Sequence, residues 1–214
     1  DMRFRQKTKK LAVLFLTCSV MFTEAFACSQ RMVVSAKPKS KASARTSGQA
    51  QGVNVTYHSK DDIITYIKAN GAEITDPLEF SQNPVTASPY DPGKLSDQTQ
   101  QSALNMLKQM RYIAGISDQV ELSDNLSDYA QAAAFVNYVN GKLSHQPTKP
   151  SDMDDALFRK GEQGAGSSNI AWASWSGASL NRTIAFSWMK DDDRSNINRV
   201  GHRRWMLNPA MGKT

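Results

Sequence analysis

The chain has 214 residues, 40% of them hydrophobic and 21% charged, with a formal net charge of +6 and two cysteines. The positive balance is concentrated at the N-terminus: five Lys and Arg lie in residues 1–27 and five more in 28–45, leaving 16 against 18 Asp and Glu in residues 46–214. The slightly acidic body gives no support to a nucleic-acid-binding face, and two cysteines are too few for a disulfide framework.

Arg3, Arg5, Lys7, Lys9 and Lys10 precede an apolar run from Leu11 to Phe22, and Ala25-Phe26-Ala27 supplies small residues where a signal peptidase reads. This pattern predicts a secretory signal peptide over residues 1–27. The run is about half the ~20 apolar residues needed to span a bilayer, so no transmembrane helix is expected. Cleavage would remove Cys18 and leave Cys28 as the first mature residue, a position where a lipid anchor could be attached, although Ala25 and Phe26 are poor matches to a lipoprotein signal. The protein is therefore expected to be secreted, extracellular or associated with the cell envelope. Residues 28–52 carry Arg31, Lys37, Lys39, Lys41 and Arg45 among Ala, Ser, Gly and Gln, and read as a basic flexible linker.

Residues 53–94 read as a short appendage. Ile63, Ile64 and Ile67 fall on a helical period over residues 61–69, with Gly71 just beyond, and Asn83-Pro84, Ser88-Pro89 and Asp91-Pro92-Gly93 make the remainder turn-rich and extended. His58, in this appendage, is expected at the surface. The main domain, residues 95–214, starts with Ser96 as N-cap of a helix whose stripe of Ala103, Leu104, Leu107, Met110 and Ile113 should be buried. A second helix from about Ser123 carries Leu126, Ala130, Ala133, Ala134 and Phe135 and stops at Gly141. Its alanines predict a close approach to a neighbouring helix or sheet.

His145 then lies in a loop, a third helix is expected over residues 151–160, and Gly161 to Gly166 reads as loop. Ser168 to Trp172 predicts a short buried strand, and Leu180 to Met189 returns to a helical period that ends in Asp191-Asp192-Asp193. Three carboxylates at a helix C-terminus oppose its dipole, each at about 0.3–1 kcal/mol, so compensation is required from Arg194, Arg199, Arg203 and Arg204 or from a cation. The segment Val200-Gly201-His202-Arg203-Arg204-Trp205-Met206-Leu207-Asn208-Pro209 follows.

The order of Ser144-His145, Gly166-Ser167-Ser168-Asn169-Ile170-Ala171, Trp188-Met189-Lys190-Asp191 and Gly201-His202-Arg203 resembles the CAP superfamily (SCP domain). This family includes cysteine-rich secretory proteins, antigen 5 and plant pathogenesis-related proteins; Trp205-Met206-Leu207-Asn208-Pro209 is like its bacterial secreted branch. The resemblance implies an α/β/α sandwich with a short central antiparallel sheet and a cleft lined by two histidines and two acids. By position these would be His145, His202 and Asp191, with Ser168 standing where the second acid is usual. CAP domains usually continue past the Gly-His motif with further strands, so the domain is expected to be C-terminally incomplete at Thr214.

Two imidazoles and a carboxylate (His145, His202 and Asp191) make a ligand set for Zn²⁺ or another divalent cation, with room for a water. A metal-dependent hydrolase acting on peptides or cell-wall polymers would follow from that set. The neutral Ser168, and the lack of a His-Glu-x-x-His or Gly-x-Ser-x-Gly segment, favour instead a non-enzymatic module that binds a protein, an apolar ligand or another cell-envelope component.

Overall fold

A computed structural model describes residues 12–17, 54–173 and 179–214. Cys28, the linker and most of the expected signal peptide lie outside the described residues. The six that belong to its apolar run, Ala12–Thr17, form strand β1.

The first helix is built as the sequence predicts. In α1 (Lys60–Asn70), Ser59 Oγ accepts from Asp62 N–H while Asp62 accepts from the Ser59 backbone, a reciprocal capping box, and Gly71 closes the helix at φ 74°. Short strands β2 (Phe80–Gln82) and β3 (Lys94–Leu95) pair antiparallel and lead into α2 (Asp97–Ile113), where Ser96 Oγ accepts from Thr99 N–H at 3.1 Å. The appendage docks through stacked rings: Tyr66 lies on Tyr112 with centroids 3.8 Å apart, and His58 covers the other side of Tyr112 at 3.8 Å. His58 is therefore half-buried in an aromatic stack rather than a plain surface residue.

Ala103, Leu104, Met106 and Leu107 of α2 form the main core with Val120, Ile184, Trp188 and Met206. Ile113, read as part of the buried stripe, is 44% exposed because it is the last residue of the helix, where the chain turns at Gly115. Helix α3 (Asp124–Asn140) ends at Gly141 in the left-handed conformation, and its small residues have the expected purpose. They admit α4 (Asp155–Gly166) at close range.

This corrects the expectation of a loop over residues 161–166. Gly161, Gly164 and Gly166 are helical. A Cβ on Gly161 would stand 2.5 Å from Val136 Cγ2 and 2.9 Å from Ala132 O, and one on Gly164 would meet the Tyr129 backbone and stand 2.9 Å from Ala133 Cβ. Glycines that look like breakers here supply the flat face on which α3 packs. Gly164→Ala should cost about 2 kcal/mol, the overpacking outweighing the better helix propensity of Ala. A lowered denaturant midpoint at unchanged m would register this; an unchanged midpoint would show that the two helices can part freely.

Strand β4 (Ser168–Ala173) follows α4 and pairs antiparallel with β1 in the register Ala12↔Ala173 to Thr17↔Ser168. The buried Ile170 of β4 meets Ala130, Ala133, Ala134 and Ala165. Helix α5 (Leu180–Arg182) runs on as a π-helix over Thr183–Trp188, and α6 (Gly201–Met206) carries the Gly-His-Arg-Arg segment. The chain then runs back beside residues 121–123, with a parallel bridge between Glu121 and Lys213. The architecture is mixed α/β: helices around two small antiparallel pairs of strands. No helix among the described residues is long and apolar enough to cross a membrane.

Candidate functional site

The site grows from two residues that depart from ordinary backbone geometry. Asp191 and Val200 have φ of 51° and 43°, the only non-glycine residues with positive φ among those described. A β-branched Val there is strained by about 1–2 kcal/mol, and such strain persists only where surrounding contacts enforce it. The enforcing contacts converge on Asp191, whose side chain is fully buried.

Asp191 Oδ1 accepts from His202 Nδ1 at 2.8 Å and from Asn196 Nδ2, while Oδ2 accepts from Arg203 N–H at 3.1 Å. The orientation of Asn196 is fixed by its other end: Oδ1 accepts from Arg199 Nε at 2.8 Å and from Gly201 N–H at 3.2 Å, so the amide nitrogen donates to Asp191. Position 201 is glycine because a Cβ would stand 2.8 Å from Asn196 Oδ1. Burial pushes the Asp191 carboxyl up, but the Arg203 N–H, His202 and Asn196 together outweigh it and hold the group below the usual carboxylate range. An ionised carboxylate only accepts, so His202 donates from Nδ1 and turns Nε2 away from Asp191.

The three-aspartate run is compensated, though not by arginine–carboxylate pairs. Asp192 pairs with Lys190 at 2.6 Å, and Asp193 accepts from Ser195 N–H at 2.8 Å. Arg203 instead serves the end of the π-helix: its Nε donates to Met189 O at 2.5 Å and its Nη2 to Lys190 O. Helix-end carbonyls that would otherwise be orphaned receive a cation, which also offsets the dipole.

His145 is exposed and donates from Nδ1 to Ala165 O at 2.6 Å. The backbone of His202 is held nearby in sequence terms: its carbonyl accepts from buried Asn169 Nδ2 at 3.1 Å. Both histidines are thus tied to the corner between α4 and β4, at residues 165 and 169, points that a fully extended chain could separate by at most about 14 Å. Ser168 lies in that corner but is buried, and its hydroxyl donates to Gly164 O, so it caps α4 rather than facing a cleft.

The expected three-ligand centre is not assembled. No group of three His, Cys, Asp or Glu among the described residues is placed to hold a metal ion. The reason is local: Asp191 is spent on His202, Asn196 and Arg203, so it stands behind the imidazole instead of beside it. Each of the two imidazoles does have an oxygen acceptor behind its Nδ1, the support that metal-binding histidines ordinarily have. Asn196 was not legible as a site residue; Asn198, two positions on in the same polar loop, is exposed, and nothing in the sequence separates the two. A groove of about 530 Å³ lies elsewhere, between α2 and α3 over Ala103, Ala130, Ala134 and Leu180, and none of the candidate residues lines it.

Comparison with family models, curated proteins and solved structures finds no match to this chain.

Proposed function

We propose that the chain is a secreted, cell-envelope-associated binding module of CAP type, not an enzyme, whose histidine site takes a divalent cation through Nε2 of His145 and His202. One observation carries the reading. In both imidazoles Nδ1 is engaged by an oxygen, Asp191 Oδ1 or Ala165 O, and among the described residues neither Nε2 has a hydrogen-bond partner. A ring held this way presents a lone pair on a fixed nitrogen, as Zn²⁺ and similar cations require. Such an ion would supply open coordination positions for an oxygen ligand of the envelope; Asp191 would orient His202 and raise its basicity.

The hydrolase alternative draws less support. Ser168 donates its hydroxyl to Gly164 O, and Asp191 is turned away from the space in front of His202. Titration calorimetry of the full chain with Zn²⁺ should show one site that His145→Ala and His202→Ala each abolish. Equal binding in parent and variants would overturn the cation reading, and hydrolysis of a peptide or wall-polymer substrate that disappears in both variants would favour the enzyme.

A further inference from the structure

The charge of the body is not uniform. Residues 179–214 hold seven Lys and Arg against three Asp, whereas residues 46–173 hold nine against fifteen Asp and Glu. The three acids of the basic part are held internally, Asp191 by a hydrogen bond from His202, Asp192 by an ion pair with Lys190 and Asp193 by the Ser195 N–H, which leaves the segment with an excess of positive charge. Among the described residues no carboxylate forms an ion pair with Arg182, Arg194, Arg199, Arg203 or Arg204.

These cations are interleaved with large apolar side chains that are about half exposed. Phe186 is 49% exposed, Ile197 52% and Trp205 49%. Hydrogen bonds tie residues 189–191, the 193–200 loop and α6 to one another. Arg182, at the end of α5, sits over the ring of Phe186 in the π-helix at 5.4 Å, and Lys190 lies in the turn just past the end of that helix at Trp188. Arg203 is bonded to the carbonyls of Met189 and Lys190, with Arg204 and Trp205 next to it on α6. Arg199 is bonded to Asn196, beside Ile197.

We propose that this surface, from the π-helix through the 193–200 loop to α6, docks on an anionic lipid membrane. Guanidinium groups without carboxylate partners match lipid phosphates, and half-exposed Phe, Ile and Trp suit the boundary between headgroups and acyl chains, where an aromatic ring can bury its body and keep its polar edge wet. A dissolved polyanion would satisfy the arginines and leave the three apolar side chains in water, so the combination favours a bilayer. The surface uses different groups from the cation site, and docking does not require His145 or His202 to bind anything.

Hydrogen exchange of the full chain tests this locally, which matters because the basic N-terminus would itself draw the protein to vesicles. Phosphatidylglycerol vesicles should slow amide exchange over residues 194–206; phosphatidylcholine vesicles, or soluble polyphosphate at equal phosphate concentration, should not. The double variant R194E/R204E replaces two exposed side chains, and an unchanged far-UV circular dichroism spectrum is the check that it stays folded. Its lipid concentration for half-protection should rise at least about 30-fold. F186S should weaken the protection without changing its salt dependence. No protection in the parent, protection that survives in R194E/R204E, or equal protection by polyphosphate would overturn the proposal, the last by pointing to an anionic polymer.

Discussion

Arg111→Ala should lower the stability by about 4 kcal/mol, the largest loss we expect from any single exchange. The side chain is fully buried, and its guanidinium donates from Nε to Ser117 O at 2.7 Å and from Nη1 to Met206 O at 2.7 Å and Asn208 O at 3.0 Å. Those carbonyls belong to the turn after α2 and to the end of α6, so one planar cation joins the main helix to the segment carrying His202. Truncation would strip charged donors from three carbonyls inside the protein and leave a cavity. Arg111→Lys should recover little, because a single ammonium cannot replace the fork. At about 2–4 °C per kcal/mol for a chain of this size, a melting temperature lower by roughly 10 °C is the measurement to make. A drop under 2 °C would show that the carbonyls find water.

The same residue illustrates what the sequence could and could not reveal. Helices α1, α2 and α3 were legible because their ends carry local chemistry: Gly71 and Gly141 need the left-handed conformation and Ser96 caps through its hydroxyl. Arg111 was not, since nothing in its neighbourhood distinguishes a buried guanidinium from one at the surface until α6 closes over it from 95 residues away. The glycines of α4 misled for the opposite reason. Their local preference speaks for a loop, and packing against Ala132, Ala133 and Val136 overrides it.

The site divides in the same manner. The partnership of Asp191 with His202 could be anticipated from the order of motifs, and it is a direct contact of 2.8 Å. Its direction could not. A carboxylate eleven residues before a histidine can stand beside it as a co-ligand or behind it as its support, and the choice here is made by the strained backbone at Asp191 and by Asn196, which locks the carboxylate from the far side. The apolar run at the N-terminus carries a similar ambiguity. Six residues that read as the core of an export signal also form strand β1, antiparallel to β4.

Asp191→Asn is the exchange that distinguishes a supporting carboxylate from a ligand. Asn tolerates the left-handed backbone at this position and keeps the shape, so the stability cost should stay near 1–2 kcal/mol. The affinity for Zn²⁺ should fall about 10- to 100-fold, the usual loss when the group behind a ligating histidine is changed, rather than vanish as in His202→Ala. Acid stability supplies an independent readout. The folded-state pKa of Asp191 is depressed, so its contribution is complete above the ordinary carboxylate value and disappears as the pH falls from about 5 through the lowered one. The parent should therefore lose stability over that window more steeply than Asp191→Asn, and the two should converge at the acid end. Parallel curves would mean that Asp191 is no better placed in the folded protein than in the unfolded chain, and the account of His202 given above would fall with it.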